Sequence, residues 1–183
     1  MASEKKERLK RILLENSILR GRFTLASGKE SDYYIDARLT TLHPEGVSLA
    51  ADIFLEEIKR DPRIKTVGGP TMGADPIVGA LIAASYRANY PLRGFLVRKK
   101  EKEHGTGKLV EGNLVADDNA AVVEDVVTSG GSVITAIAAV KGAGADVRKV
   151  LVIVDREEGA AEKFQEMGID FYAIFKISEL LNG

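Results

Sequence analysis

Apolar and polar positions alternate along this chain with two spacings, and those spacings mark out its elements. From Glu4 to Glu15, Leu9, Ile12 and Leu13 fall on one helical face. Phe23–Leu25 and Tyr33–Ala37 read as short strands around the turn Ser27-Gly28-Lys29. Residues Pro44 to Arg60 predict a helix with proline at its start. A strand region begins at Val67 and runs into Gly68-Gly69-Pro70, followed by a helix from Gly73 to Tyr90 and a strand from Arg93 to Val97. A further strand covers Ala120 to Glu124, and a helix covers about Ser132 to Lys141. Val147 to Val154 is almost wholly apolar, as a strand buried on both faces would be. A helix from Glu157 to Met167 and a strand from Phe171 to Phe175 complete the pattern. Strands alternating with helices predict an α/β fold, with a mostly parallel central sheet flanked by helices.

One run adds chemistry to this pattern: Val122-Val123-Glu124-Asp125-Val126-Val127-Thr128-Ser129-Gly130-Gly131-Ser132. An apolar strand ends in two carboxylates, a short loop of hydroxyls and glycines follows, and a helix begins. Glycines let backbone N–H groups approach an anion, and a helix N-terminus adds partial positive charge. Thr128, Ser129 and Ser132 can donate hydroxyl hydrogen bonds. The loop therefore suits a phosphate monoester. Glu124 and Asp125 repel phosphate but suit sugar hydroxyls or a metal ion. Together the two halves describe a ribose 5-phosphate. A plain strand–turn–helix with a Thr or Ser N-cap explains a hydroxyl here. It does not explain adjacent acids at the carboxyl end of a strand, where ligands of α/β sheets bind.

Composition narrows the remaining choices. A length of 183 residues fits one domain, and 45% hydrophobic content supplies a core. A net charge of −1 provides no global field for nucleic acid. The absence of cysteine excludes disulfides, thiolate nucleophiles and thiolate metal sites. The charged N-terminus has no apolar signal core, and no apolar run approaches the ~20 residues of a membrane span. A cytoplasmic protein without membrane or nucleic-acid partners is the expectation.

Between Val97 and Ala120 lies a long connection carrying Arg98, Lys99, Lys100 and Lys102, then His104, Gly105 and Gly107. Glu101 and Glu103 allow it to be a solvated, charge-mixed hairpin. The sharper reading is a lid whose cations close over a diphosphate.

The acidic run resembles the phosphoribosyl-diphosphate motif of the type I phosphoribosyltransferases. The segment Arg98-Lys99, Lys102, His104-Gly105 resembles the catalytic loop of the orotate phosphoribosyltransferase family. The run Phe23 to Gly28, followed by Tyr33-Tyr34, is similar to that family's entry hairpin, and Asp155-Arg156 matches a further family position. The matches keep their order from Phe23 to Arg156. The resemblance implies the type I fold as a single domain, 1–183. A small N-terminal hood would lie in residues 1–40 and a flexible catalytic loop in 98–118. It also implies transfer of ribose 5-phosphate from phosphoribosyl diphosphate to N1 of orotate, yielding orotidine 5′-phosphate for UMP synthesis. Mg²⁺ would be the cofactor, held mainly through diphosphate and water rather than directly by side chains.

By the same resemblance, Arg98, Lys99, Lys102, His104 and Asp125 are catalytic. Glu124, Asp125, Val126, Val127, Thr128, Ser129, Gly130, Gly131 and Ser132 bind phosphoribosyl diphosphate. Thr128, Arg156 and Tyr34 face orotate. The family implies a homodimer with active sites shared between subunits. Two departures stand out: many members carry lysine where this chain has Ala26, and again where it has Met72-Gly73. Two alternatives remain at this stage. One is a regulator that senses phosphoribosyl diphosphate, which would keep the acidic run and lose the loop cations. The other is a transferase for another nucleobase.

Overall fold

A computed structural model describes residues 2–24, 28, 30–99 and 109–182. Helix α1 (Ala2–Asn16) packs Leu9, Ile12 and Leu13 into the core, the face its spacing predicts. Strands β1 (Ile18–Thr24) and β2 (Glu30–Ile35) form an antiparallel hairpin with Ile18 opposite Ile35 and Thr24 opposite Glu30. A one-turn helix α2 (Arg38–Thr41) leads into α3 (Pro44–Ile58), where Pro44 starts the helix and the His43 Nδ1 accepts from the Gly46 N–H at 3.3 Å.

The remaining strands are β3 (Ile64–Pro70), β4 (Arg93–Val97), β5 (Val110–Gly112), β6 (Asn119–Val127), β7 (Asp146–Asp155) and β8 (Asp170–Lys176). They form one sheet in the order β5-β4-β3-β6-β7-β8, parallel except for the antiparallel edge strand β5. Helices α4 (Ala74–Arg87), α5 (Gly131–Gly142), α6 (Ala160–Glu166) and α7 (Ile177–Leu181) complete the chain. The two sides of the central strands feed different halves of the core. Ala121, Val123, Leu151 and Ile153 pack with α1, α3 and α4. Ala120, Val122, Val150 and Val152 pack with α5 and α6. Covering both faces is what makes these strands read as continuous apolar runs. The exception is Lys149 in β7, buried yet paired at 2.8 Å with both Glu57 and Asp170.

Several boundaries shift from the sequence expectation, some because strand pairing overrides local pattern and others because of local backbone conformation. The hairpin begins at Ile18 rather than Phe23, and Leu25 lies outside the described residues. Ala37 does not end β2; it caps α2. Strand β3 begins at Ile64, which is fully buried and pairs with Asn119. Helix α6 starts at Ala160 instead of Glu157, because Glu157 and Gly159 take positive φ angles of 59° and 90°. Strand β6 does not stop at the acids: Val126 pairs with Val154 and Val127 with Asp155, so Glu124 and Asp125 sit inside the strand. Helices α2 and α7 and strand β5, the last within the 98–118 connection, carried no signal strong enough to predict them.

Candidate active site

The chain leaves β3 for β4 and β5 on one side, then returns past β3 to β6 and continues to β7 and β8 on the other. Between β3 and β6 the direction of winding reverses, and the connections leaving the strand ends diverge there. Such a switch point opens a crevice at the carboxyl ends of the strands. Pro70, Val97, Val127 and Asp155 end four of the five parallel strands at this edge. The segments that follow them include most of the residues singled out in the sequence.

Glu124 and Asp125 lie at the floor of the crevice. Glu124 is 6% exposed. Its Oε1 accepts from the Asp125 N–H at 3.2 Å, and Asp125 Oδ1 accepts from the Val126 N–H at 2.7 Å. Ser132, at the start of α5, donates its hydroxyl to Glu124 Oε2 at 3.5 Å. From the β3 side, Gly73 presses its backbone against the pair. A Cβ at Gly73 would lie 2.1 Å from Glu124 Oε1 and 2.7 Å from Asp125 Oδ1. A side chain there would push the ends of these carboxylates aside.

Burial pushes the Glu124 carboxyl well above the usual carboxylate range, and the neighbouring Asp125 charge pushes it further. Burial also raises Asp125. The folded chain therefore retains protons that the unfolded chain has released. From the normal carboxylate range upward, stability falls as pH rises toward the raised value. Glu124→Gln removes this cost. In chelator-treated protein it should melt higher than wild type at pH 8, by about 2–4 °C for each kcal/mol recovered. The gap should close toward pH 4. Equal melting temperatures across that range would show that the Glu124 charge costs nothing in the fold.

The loop after the acids is shaped for an anion. Thr128, Ser129, Gly131 and Ser132 are exposed, and Gly130 takes φ 82°. A Cβ on Gly130 would come within 3.1 Å of Phe164, so the turn is tucked under α6. The N-cap of α5 is Gly130, which brings no capping side chain, so among the described residues the first-turn backbone N–H groups are open to a ligand. Lys163 of α6 holds the loop from below, donating to the Ser129 carbonyl at 2.8 Å. Nothing in the local pattern around Lys163 marks this contact, because it joins positions far apart in the chain.

Arg156 stands beside this loop. Its N–H donates to the Val127 carbonyl at 2.9 Å, which ties the end of β7 to the end of β6. Its side chain is 12% exposed, pairs with Glu158 at 3.1 Å and donates from Nε to the Tyr33 hydroxyl at 3.2 Å. Its guanidinium also lies over the Tyr33 ring, 5.2 Å from the centroid. The tyrosine at Arg156 is thus Tyr33. Successive residues of a strand point to opposite faces, so Tyr34 turns outward, 40% exposed, and stacks on Phe23 with ring centroids 5.8 Å apart.

Arg98 and Lys99 follow β4 at the same edge. The Arg98 N–H donates to the Leu109 carbonyl at 2.9 Å, and its guanidinium sits 3.7 Å from Glu111. The 98–109 connection is therefore closed at its base by the β4–β5 ladder, in which Val97 faces Val110. Lys102 and His104 lie outside the described residues, as does Ala26. Arg38, which the motif reading passed over, also borders this region, lining a cavity with Met72 and Asp75 beside Gly73.

The family profile described as "Phosphoribosyl transferase domain" matches residues 40–174. An orotate phosphoribosyltransferase of Rhodopseudomonas palustris (strain BisB5) is 44% identical over 184 aligned residues, covering 98% of each chain. This chain belongs to the orotate phosphoribosyltransferase family. Solved structures agree. The orotate phosphoribosyltransferase of Mycobacterium tuberculosis H37Rv, in complex with Fe(III) dicitrate, superimposes with a TM-score of 0.84 at 38% identity, covering 96% of this chain and 98% of that one. The same enzyme in complex with 5-phospho-alpha-D-ribosyl 1-diphosphate gives 0.81 at 34% identity, with the same coverage. The mainly parallel sheet flanked by helices is that of the type I phosphoribosyltransferases.

Proposed function

We infer that this chain transfers ribose 5-phosphate from phosphoribosyl diphosphate to N1 of orotate, releasing diphosphate and forming orotidine 5′-phosphate for pyrimidine biosynthesis. The observation that carries this reading is the adjacency at one sheet edge of an acidic pair, an open phosphate loop and a guanidinium. The Val127–Asp155 register places Arg156 directly beside the turn that follows Glu124 and Asp125.

Bond breaking at ribose C1 builds positive charge on the ring while negative charge collects on the leaving diphosphate. In this reading the 5-phosphate is held by the backbone from Val126 to Ser132 and by the hydroxyls of Thr128 and Ser129. Glu124 and Asp125 bind the ribose hydroxyls and face the developing cation. Their raised proton affinity in the free protein means that a cationic or hydroxyl-rich ligand relieves a pre-existing cost. Arg156 presents a planar fork to the planar orotate carboxylate, with Tyr33 and Glu158 steadying it. Thr128 borders the acceptor. Arg98, Lys99, Lys102 and His104 stabilise the departing charge.

Among the described residues, no group of three or more His, Cys, Asp and Glu could cage a metal ion. Two adjacent carboxylates beside a phosphate loop do fit Mg²⁺, which takes few protein ligands and keeps water and substrate phosphates. When bound, Mg²⁺ would neutralise and orient the diphosphate.

We further propose one domain over 1–183, with residues 1–40 as a hood and 98–118 as a loop that closes over the diphosphate. A homodimer with shared sites is supported by apolar surface next to the crevice. Leu39, Leu42 and Met72 are 54%, 73% and 66% exposed. Large apolar side chains clustered at a surface mark an interaction site. Among the described residues no helix is long and apolar enough to cross a membrane. Highly charged phosphorylated substrates fit a cytoplasmic location.

An acceptor panel tests the reaction. With phosphoribosyl diphosphate and Mg²⁺, orotate should be consumed, whereas uracil, hypoxanthine and xanthine should not. Binding of phosphoribosyl diphosphate without turnover of any base would favour a sensing regulator instead. Preference for a neutral base would reassign Arg156.

A further inference from the structure

The acidic pair brings negative charge to a site whose leaving group is itself strongly negative. Cations must therefore stand between the pair and the diphosphate. The β3 side of the crevice provides none from its own turn. Met72 is apolar, and Gly73, packed against the Glu124 and Asp125 carboxylates, carries no side chain. A cation from elsewhere in the chain borders this gap. Arg38 opens α2 and shares with Met72 the wall of a cavity of about 680 Å³, together with Asp36, Leu39 and Asp75.

Arg38 is held in a fixed orientation. Its Nε donates to Asp36 Oδ1 at 2.8 Å and its Nη2 to Asp36 Oδ2 at 2.9 Å, a side-on fork. The Arg38 backbone N–H adds a third bond to Asp36 Oδ1 at 3.2 Å. The fork occupies one edge of the guanidinium. The Nη1 group makes no hydrogen bond among the described residues. The side chain remains half exposed, and its charge acts on both Asp125 and Tyr34. A guanidinium clamped on one edge and open on the other, beside a buried acidic pair, suits a doubly bonded oxyanion.

We propose that Arg38 contacts the diphosphate of phosphoribosyl diphosphate on the β3 side of the crevice, where Met72 and Gly73 offer no cation, and that Asp36 positions it. This assignment rests on the phosphoribosyl-transfer reading and deepens it. Asp36 orders the arginine before substrate arrives. Arg38 therefore supplies its charge with less loss of side-chain freedom than an unrestrained lysine would incur.

The test is equilibrium binding of inorganic diphosphate with Mg²⁺ to the full-length protein, with ribose 5-phosphate as the control ligand. Arg38→Ala should weaken diphosphate binding by about 10- to 100-fold, the range for loss of a charged hydrogen bond. Ribose 5-phosphate affinity and melting temperature should be unchanged. In turnover, KM for phosphoribosyl diphosphate should rise while KM for orotate stays level. Arg38→Lys should recover part of the diphosphate affinity, because it keeps the charge and loses the fork. Asp36→Asn should weaken diphosphate binding less than Arg38→Ala. Unchanged diphosphate affinity in Arg38→Ala would overturn the proposal, as would equal loss for both ligands. Wild-type protein that bound neither ligand would overturn the phosphoribosyl-transfer reading itself.

Discussion

Asp125→Asn should reduce turnover by at least ~100-fold, the scale seen when a group stabilising transition-state charge is removed. The substitution is unusually clean in this structure. Asparagine keeps the size of the side chain, and its carbonyl oxygen can still accept from the Val126 N–H that Asp125 Oδ1 now binds at 2.7 Å. The close approach of Gly73 is also preserved. What disappears is the negative charge that the proposed mechanism sets beside the ribose. Because burial raises the Asp125 carboxyl from its ordinary value, losing the charge relieves the folded state. The variant should melt no lower than wild type. A dead enzyme with an intact fold is the signature expected of electrostatic stabilisation. Near-normal steady-state turnover in the purified variant would remove Asp125 from the mechanism.

Arg156→Ala should raise KM for orotate by roughly 10- to 150-fold, the cost of losing a charged hydrogen-bonded contact. KM for phosphoribosyl diphosphate should change little. The split matters because Arg156 also has structural partners, Glu158 and Tyr33. If the arginine only braced the end of β7, both substrates would suffer alike. Tyr33→Phe provides the companion measurement. It keeps the ring under the guanidinium, removes the hydroxyl that accepts from Nε, and should give a smaller rise in KM for orotate. Equal effects on both substrates in Arg156→Ala would make it a bracing residue.

Much of this protein is legible along the chain. The parallel sheet was readable because strands buried on both faces must be apolar throughout, and Val147 to Val154 shows that despite its buried Lys149. The loop after the acids was readable as a strand–turn–helix junction because its parts are consecutive: acids, hydroxyls, glycines and a helix start within eleven residues. Helix α1 showed its buried face because helical spacing is local. Where local pattern met strand pairing, pairing prevailed. The acids of β6 lie inside the strand because β7 continues alongside them.

Local spacing along the chain set the fold class, the acidic run with the hydroxyl- and glycine-rich loop after it, and the arginine that follows β7. Each rests on neighbours in the chain whose spacing is dictated by helix or strand geometry. Only the tertiary structure decided which groups meet across the crevice. It put Tyr33 rather than Tyr34 on Arg156, Lys163 under Ser129, Gly73 against Glu124 and Asp125, and Arg38 within electrostatic range of Asp125. The physical reason is that these partners lie on different elements. Their approach is set by sheet register and by the reversal between β3 and β6, and neither leaves a periodic trace in the residues themselves.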